Sequence, residues 1–220
     1  MRWDAVLFDF DGVIVDSVNI KTEAFAQMFR PFGREVEESV VRFHLENGGM
    51  SRYDKFRYWY KNYLGIEIDK KKIEELSIQF SNIVLEKVIA AEYIPGAVNT
   101  LQKLNEHGIP CFIVSATPSE EIQLIVNEKK INHFFCKVLG SPATKEQNIN
   151  TIIRKYGYDR ERCLFFGDSM QDYLAAKNTG IKFIGIIRDK MNSSFPDGVE
   201  TSTRVDCDIE IEIRPQKVSI

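Results

Sequence analysis

The chain has 220 residues, a formal net charge of −3, and 44% hydrophobic and 28% charged residues. This is enough apolar material for one sizeable core or a core with an insert, and the slight negative charge argues against nucleic acid or an anionic membrane as partner. No run approaches the roughly 18 consecutive apolar residues of a membrane span, and no signal-peptide pattern precedes the first apolar run, so a cytoplasmic protein is expected.

The first element is Ala5-Val6-Leu7-Phe8-Asp9-Phe10-Asp11-Gly12-Val13, an apolar run that stops in two carboxylates and a glycine. It reads as a buried parallel strand with polar groups at its C-terminal end, where open parallel sheets place their ligands. In an extended strand, Asp9 and Asp11 would point to the same face and repel unless a cation or shared proton intervened. From about Ser17 to Arg30 the apolar spacing turns helical, with Asp16 or Ser17 as N-cap. Further helices are predicted over Val36 to Leu45, Arg52 to Leu64 and Lys71 to Ile89. Glu92-Tyr93-Ile94-Pro95-Gly96 then breaks the pattern.

From there helices and apolar strands alternate: helix 97–106, strand 110–115, helix 119–129, short strand 134–139, helix 146–156, strand 163–166, helix 171–178 and strand 183–187. The alternation predicts an α/β fold, a Rossmann-like parallel sheet with helices on both faces. The core would comprise 1–16 and 95–220, and residues 17–94 would form an inserted helical cap, placed beside the first strand like a lid. Residues 192–204 have loop composition, and Val205 to Ile213 alternates like an edge strand. Cys111, Cys136, Cys163 and Cys207 are widely separated and are expected to be buried thiols, with neither a disulfide framework nor a zinc site. Among the scattered His44, His107 and His133, only His107 takes a definite reading, as the end of a helix before Gly108.

Three later strand ends also carry polar groups. Ser115 closes Cys111-Phe112-Ile113-Val114 just before a helix, where hydroxyls and free N–H groups suit a phosphate; the same Ser-Ala-Thr-Pro-Ser-Glu run also reads as a plain helix cap. Lys145 opens the helix after Pro-Ala-Thr. Gly167-Asp168 and Asp172 follow Cys163-Leu164-Phe165-Phe166, and carboxylates without His or Cys neighbours favour a hard cation such as Mg2+.

Asp-x-Asp-Gly, Ser, Lys and Gly-Asp-x-x-x-Asp in this order resemble the four motifs of the haloacid dehalogenase superfamily, most of whose members are phosphatases. The resemblance runs from Val6 to about Ile187. It implies that Asp9 attacks phosphorus and becomes an aspartyl phosphate, and that Asp11 acts as general acid and base. It further implies Mg2+ held by Asp9, Asp11 (through its carbonyl), Asp168 and Asp172, and a phosphoryl cradle of Ser115, Ala116, Lys145 and Gly12. Asp11 argues against the carbon–halogen branch, which has no leaving oxygen to protonate.

In the cap, Asn47-Gly48-Gly49-Met50-Ser51-Arg52 resembles the Gly-Val-Ser-Arg segment of beta-phosphoglucomutase, which makes Arg52, with Gly49, Lys55 and Lys21, the expected substrate contacts. Lys21 stands where that mutase has a histidine and Gly167 where it has a glutamate; both departures favour hydrolysis. The expected activity is Mg2+-dependent hydrolysis of a small phosphate monoester, a sugar phosphate or phosphoglycolate-like acid, by a monomer or weak homodimer. A phosphomutase, a phosphonoacetaldehyde-hydrolase-like enzyme using Lys55, and a catalytically silent binding module are the alternatives.

Overall fold

The computed structural model describes residues 3–188 and 194–206. Six parallel strands form one sheet in the order β3-β2-β1-β4-β5-β6. They are β1 (Ala5–Phe8), β2 (Cys111–Pro118), β3 (Phe135–Ser141), β4 (Cys163–Gly167), β5 (Lys182–Ile186) and β6 (Thr201–Ser202). β1 lies between β2 and β4, with Phe8 opposite both Ile113 and Phe166. The strand order reverses there, so the loops leaving β1, β2 and β4 surround the crevice where such sheets bind ligands.

Because side chains alternate across a strand, β1 feeds two cores. Ala5 and Leu7 pack with Phe112, Phe165 and Ile149, Ile152 and Ala176 on one face. These last three belong to α7 (Lys145–Tyr156) and α8 (Met170–Thr179). Val6 and Phe8 join Ile113, Phe166, Leu101 and Ile122 on the other, the last two from α5 (Ala97–Glu106) and α6 (Ser119–Glu128).

Between β1 and α5 come α1 (Val18–Phe29), α2 (Arg34–Glu46), α3 (Arg52–Tyr63) and α4 (Lys70–Ala90). They close around an aromatic cluster in which Phe25 stacks on Phe80 at 4.1 Å and meets Trp59 edge-on at 4.9 Å. Such ring pairs add about 0.5–1.5 kcal/mol each beyond burial. The two segments joining this block to the sheet pair with each other: Asp16 N–H donates to Glu92 O at 2.9 Å and Ile94 N–H to Ile14 O at 3.0 Å.

Several sequence expectations shift. β2 runs to Pro118, three residues past Ser115, and Ser141 rather than Leu139 ends β3. Ser17 occupies the N-cap position of α1, yet its side chain does not cap. Cys111 and Cys163 are buried, but Cys136 is exposed because β3 is an edge strand; Cys207 lies outside the described residues. β6 falls within the segment read as loop and pairs with β5. Of the expected edge strand 205–213, only Val205 and Asp206 are described, and neither is in a strand. No helix among the described residues is long and apolar enough to cross a membrane.

Candidate active site

β1 ends at Phe8, so Asp9 and Asp11 stand in the loop beyond it, where Gly12 turns the backbone at φ +77°. The expected same-face arrangement is therefore lost, and the two carboxylates take different partners. Asp9, 4% exposed, accepts the Phe10 N–H on Oδ1 and Lys145 Nζ on Oδ2, both at 2.6 Å. Asp11 accepts Ser17 Oγ at 2.6 Å on Oδ1, and Lys21 Nζ at 2.5 Å and Thr117 Oγ1 at 3.0 Å on Oδ2. Lys21 also donates to Thr117 Oγ1 at 2.8 Å.

Lys145 is the first residue of α7, which Thr144 and Gln147 start with a reciprocal capping box. Its buried ammonium also donates to Asp172 Oδ1 at 2.5 Å. Asp172 sits in the first turn of α8, fully buried, and accepts Ser169 Oγ at 2.6 Å on Oδ2. Two glycines make room for the acids. A Cβ on Gly167 would lie 2.2 Å from Asp172 Cβ, and one on Gly12 would lie 2.2 Å from Asp168 Oδ2. Gly12, expected in the phosphoryl cradle, thus clears space for Asp168 and lines neither cavity described below.

Asp9, Asp168 and Asp172 each place a carboxylate oxygen within 4.8 Å of the others. Asp168 makes no side-chain hydrogen bond or ion pair among the described residues. Burial, with Asp172 and Asp11 adding and Lys145 opposing, pushes the Asp9 carboxyl up to about 7. Burial and then Asp9 and Asp172 hold Asp168 well above the usual carboxylate range. An all-oxygen set whose own charges resist ionisation together fits a hard divalent cation, which would offset that repulsion. The Asp11 carboxylate stands outside the cluster, with both oxygens already engaged. Burial opposes its charge, yet Lys21, Ser17 and Thr117 bring it below the ordinary range.

Two cavities flank this centre. One, about 150 Å³, has Asp9, Asp11 and Asp168 on its core wall and Lys21, His44 and Lys55 on its helical wall. The other, about 340 Å³, is lined by Ser115, Ala116 and Lys145. The loop Gly48-Gly49-Met50-Ser51 divides them, with Gly49 seated so closely that a Cβ would lie 2.6 Å from Ser169 Oγ and 2.8 Å from Gln171 Cβ. Ser115 is buried, and its Oγ accepts the Thr117 N–H at 3.1 Å. Arg52 reaches the smaller cavity, but both its terminal nitrogens are committed to Glu121 on α6, at 2.8 and 2.5 Å. Lys55 is 1% exposed, with its Nζ 2.7 Å from His44 Nδ1.

Ser17, His44, Thr117 and Glu121 were not legible as site residues. Ser17 and Thr117 lie in runs that read equally well as helix caps, Glu121 meets Arg52 only through the packing of α3 against α6, and His44 reaches Lys55 only through the packing of α2 on α3.

The sequence profile of haloacid dehalogenase-like hydrolases matches residues 6–186. The chain belongs to this family. Within it, the chain is 28% identical over 185 residues to Phosphoglycolate phosphatase 1 of Pseudomonas aeruginosa, covering 80% of this chain and 66% of that protein. It thus spans slightly less than two thirds of that relative's length. It is 26% identical over 189 residues to the Phosphoglycolate phosphatase of Photorhabdus laumondii, covering 83% and 79%. The fold is that of a haloacid dehalogenase-like family hydrolase from Streptococcus pneumoniae, with a TM-score of 0.64, 23% identity and coverage of 85% and 86%. The inserted helices after β1 are consistent with a cap domain in this family.

Proposed function

We propose that the chain is a Mg2+-dependent phosphatase that hydrolyses a small phosphate monoester, a sugar phosphate or phosphoglycolate-like acid, with Asp9 as nucleophile. The observation that carries this reading is the position of Asp9, bonded to Lys145 at 2.6 Å and within 4.8 Å of Asp168 and Asp172 at the switch point of the sheet. The phosphoglycolate phosphatase relatives support the same chemistry.

An Asp9 oxygen forms a bond to phosphorus, the ester P–O bond breaks, and the leaving oxygen takes a proton from Asp11. Water then attacks the aspartyl phosphate, gives a proton back to Asp11, and frees phosphate and Asp9. Asp11 enters the first step protonated; once it has given that proton up, Lys21, Ser17 and Thr117 favour its carboxylate, the state that accepts the water's proton. Lys145 opposes the burial that raises the Asp9 carboxyl and, with Ser115 and Ala116, cradles the phosphoryl oxygens. Asp9, Asp168 and Asp172 would hold Mg2+, which would supply the charge neutralisation needed for one anion to approach another. The helical block excludes water from the smaller cavity.

Phosphate release from a panel of small monoesters, with Mg2+, with EDTA and with Asp9→Asn, tests this directly. Release abolished by EDTA and by the substitution supports it, and release that persists in Asp9→Asn sinks it.

A further inference from the structure

The smaller cavity has three cationic side chains on its helical wall, and two of them are already paired. Lys21 holds Asp11 at 2.5 Å and Arg52 holds Glu121 at 2.5 Å. Lys55 has no carboxylate within ion-pair distance among the described residues; its contacts are His44 Nδ1 at 2.7 Å and Gly48 O at 3.4 Å. Glu46, at the cavity's edge, is exposed and does not reach it. Burial without an ion-pair partner disfavours the Lys55 ammonium, Asp168 and Asp11 across the cavity support it only from beyond ion-pair distance, and a carboxylate bound directly against it would hold it in its charged form.

The second observation is independent. His44 Nε2 is buried and has no hydrogen-bond partner. Its ring is held edge-on against Phe25 at 4.9 Å, and an ammonium at Nδ1 leaves the ring hydrogen on Nε2, where it is a free donor. Burial, followed by Lys55, depresses this imidazole to about 2, so it serves as a neutral donor across the working pH range.

We propose that the Lys55 ammonium and the His44 Nε2–H form a subsite for a carboxylate at the end of the substrate remote from its phosphate. The substrate is then a small phosphorylated carboxylic acid; this rests on the phosphatase reading and narrows it. Size agrees: at about 150 Å³ the cavity suits a short group, such as a carboxylate one or two carbons from the phosphate, at its helical wall. Arg52, the first of the expected substrate contacts in the helical block, has both terminal nitrogens on Glu121, which leaves Lys55 as the cation without an ion-pair partner among the described residues.

The matched pair 3-phosphoglycerate and glycerol 3-phosphate, which differ by a carboxylate against a hydroxymethyl, gives the test. Wild-type protein should prefer the acid in kcat/KM by roughly ten-fold or more, the range for a built polar contact. Lys55→Met and His44→Leu should bring that ratio towards one, chiefly through KM for the acid. A merely structural role would slow both substrates alike and leave the ratio intact, which would overturn the proposal.

A readout on the unaltered protein removes any dependence on folding of the variants. In EDTA, 3-phosphoglycerate should move the His44 Nε2 nitrogen NMR signal, and glycerol 3-phosphate should not. Hydrolysis of both esters at equal efficiency with an unmoved signal would sink the subsite and leave the phosphatase standing. A moved signal with no hydrolysis of either would keep the subsite and sink the phosphatase.

Discussion

Arg52 and Glu121 form a two-pronged, almost wholly buried ion pair that ties α3 of the helical block to α6 of the sheet domain, with side-chain exposures of 4% and 8%. Ser81 on α4 joins them, donating to Glu121 and accepting from Arg52. Breaking such a pair from one side leaves a buried charge alone, at a cost of about 3–5 kcal/mol, whereas apolar replacement of both partners is often neutral. Glu121→Ala should therefore lower unfolding stability by about 3 kcal/mol in urea titration, and Arg52→Met with Glu121→Leu should recover most of it. Equal losses in the single and double variants would show that the pair does not hold the two parts together.

Gly49 tests how closely the loop over α8 must approach. Its φ is outside the left-handed region, so Gly49→Ala adds a methyl without backbone strain. That methyl meets Ser169 Oγ at 2.6 Å and Gln171 Cβ at 2.8 Å. Because roughly 1 Å of misplacement can reduce turnover on the order of 100-fold, phosphate release should fall by about 10- to 100-fold. The melting temperature should change little, and a large drop in it would point instead to a structural loop.

The His44–Lys55 pair makes stability depend on pH. Burial, and next Lys21, lowers Lys55 from 10.5 in the unfolded chain to about 7, so between these values the unfolded state holds the extra proton. Stability should then rise with pH from about 7 towards 10.5, with a slope approaching about 1.4 kcal/mol per unit. His44, lowered from 6.5 to about 2, gives the same sign over the acid window: stability falls as pH drops below 6.5. Urea unfolding of Lys55→Met should lose the alkaline slope and keep the acid one.

Asp168→Asn should separate metal binding from folding. It removes one of three crowded carboxylates, so the metal-free protein should be as stable as wild type or more so, since Asp168 resists ionisation there. Stabilisation by added Mg2+ follows ligand binding to the folded state. The rise in melting temperature at millimolar Mg2+ should accordingly shrink or vanish. An unchanged rise would remove Asp168 from the metal site.

Sequence-level features determined the first five strands, their crossover helices and the placement of Asp9 and Asp168 just past strand ends and of Lys145 at a helix start, because these are local properties. A buried parallel strand must be apolar, a ligand-bearing loop polar, and a helix start carries its cap, as at Thr144 and Ser169. Periodicity likewise separated the helical insert from the alternating core. The four motifs resembled one family for the same reason, and the family profile later matched across nearly the same span.

Only the tertiary structure decided which charges neutralise one another. Arg52 reads as a free cation in sequence and is bound to Glu121, 69 residues away in the chain. Lys55, expected from the resemblance as a substrate contact, meets His44 and no carboxylate among the described residues, and Thr117, which reads as part of a helix cap, supports Asp11. Pairing across helices and sheet depends on packing distances of a few ångströms, which no local pattern encodes. The loop turn at Gly12 and the seat of Gly49 against Ser169 are of the same kind, since the space a missing Cβ leaves exists only once its neighbour arrives.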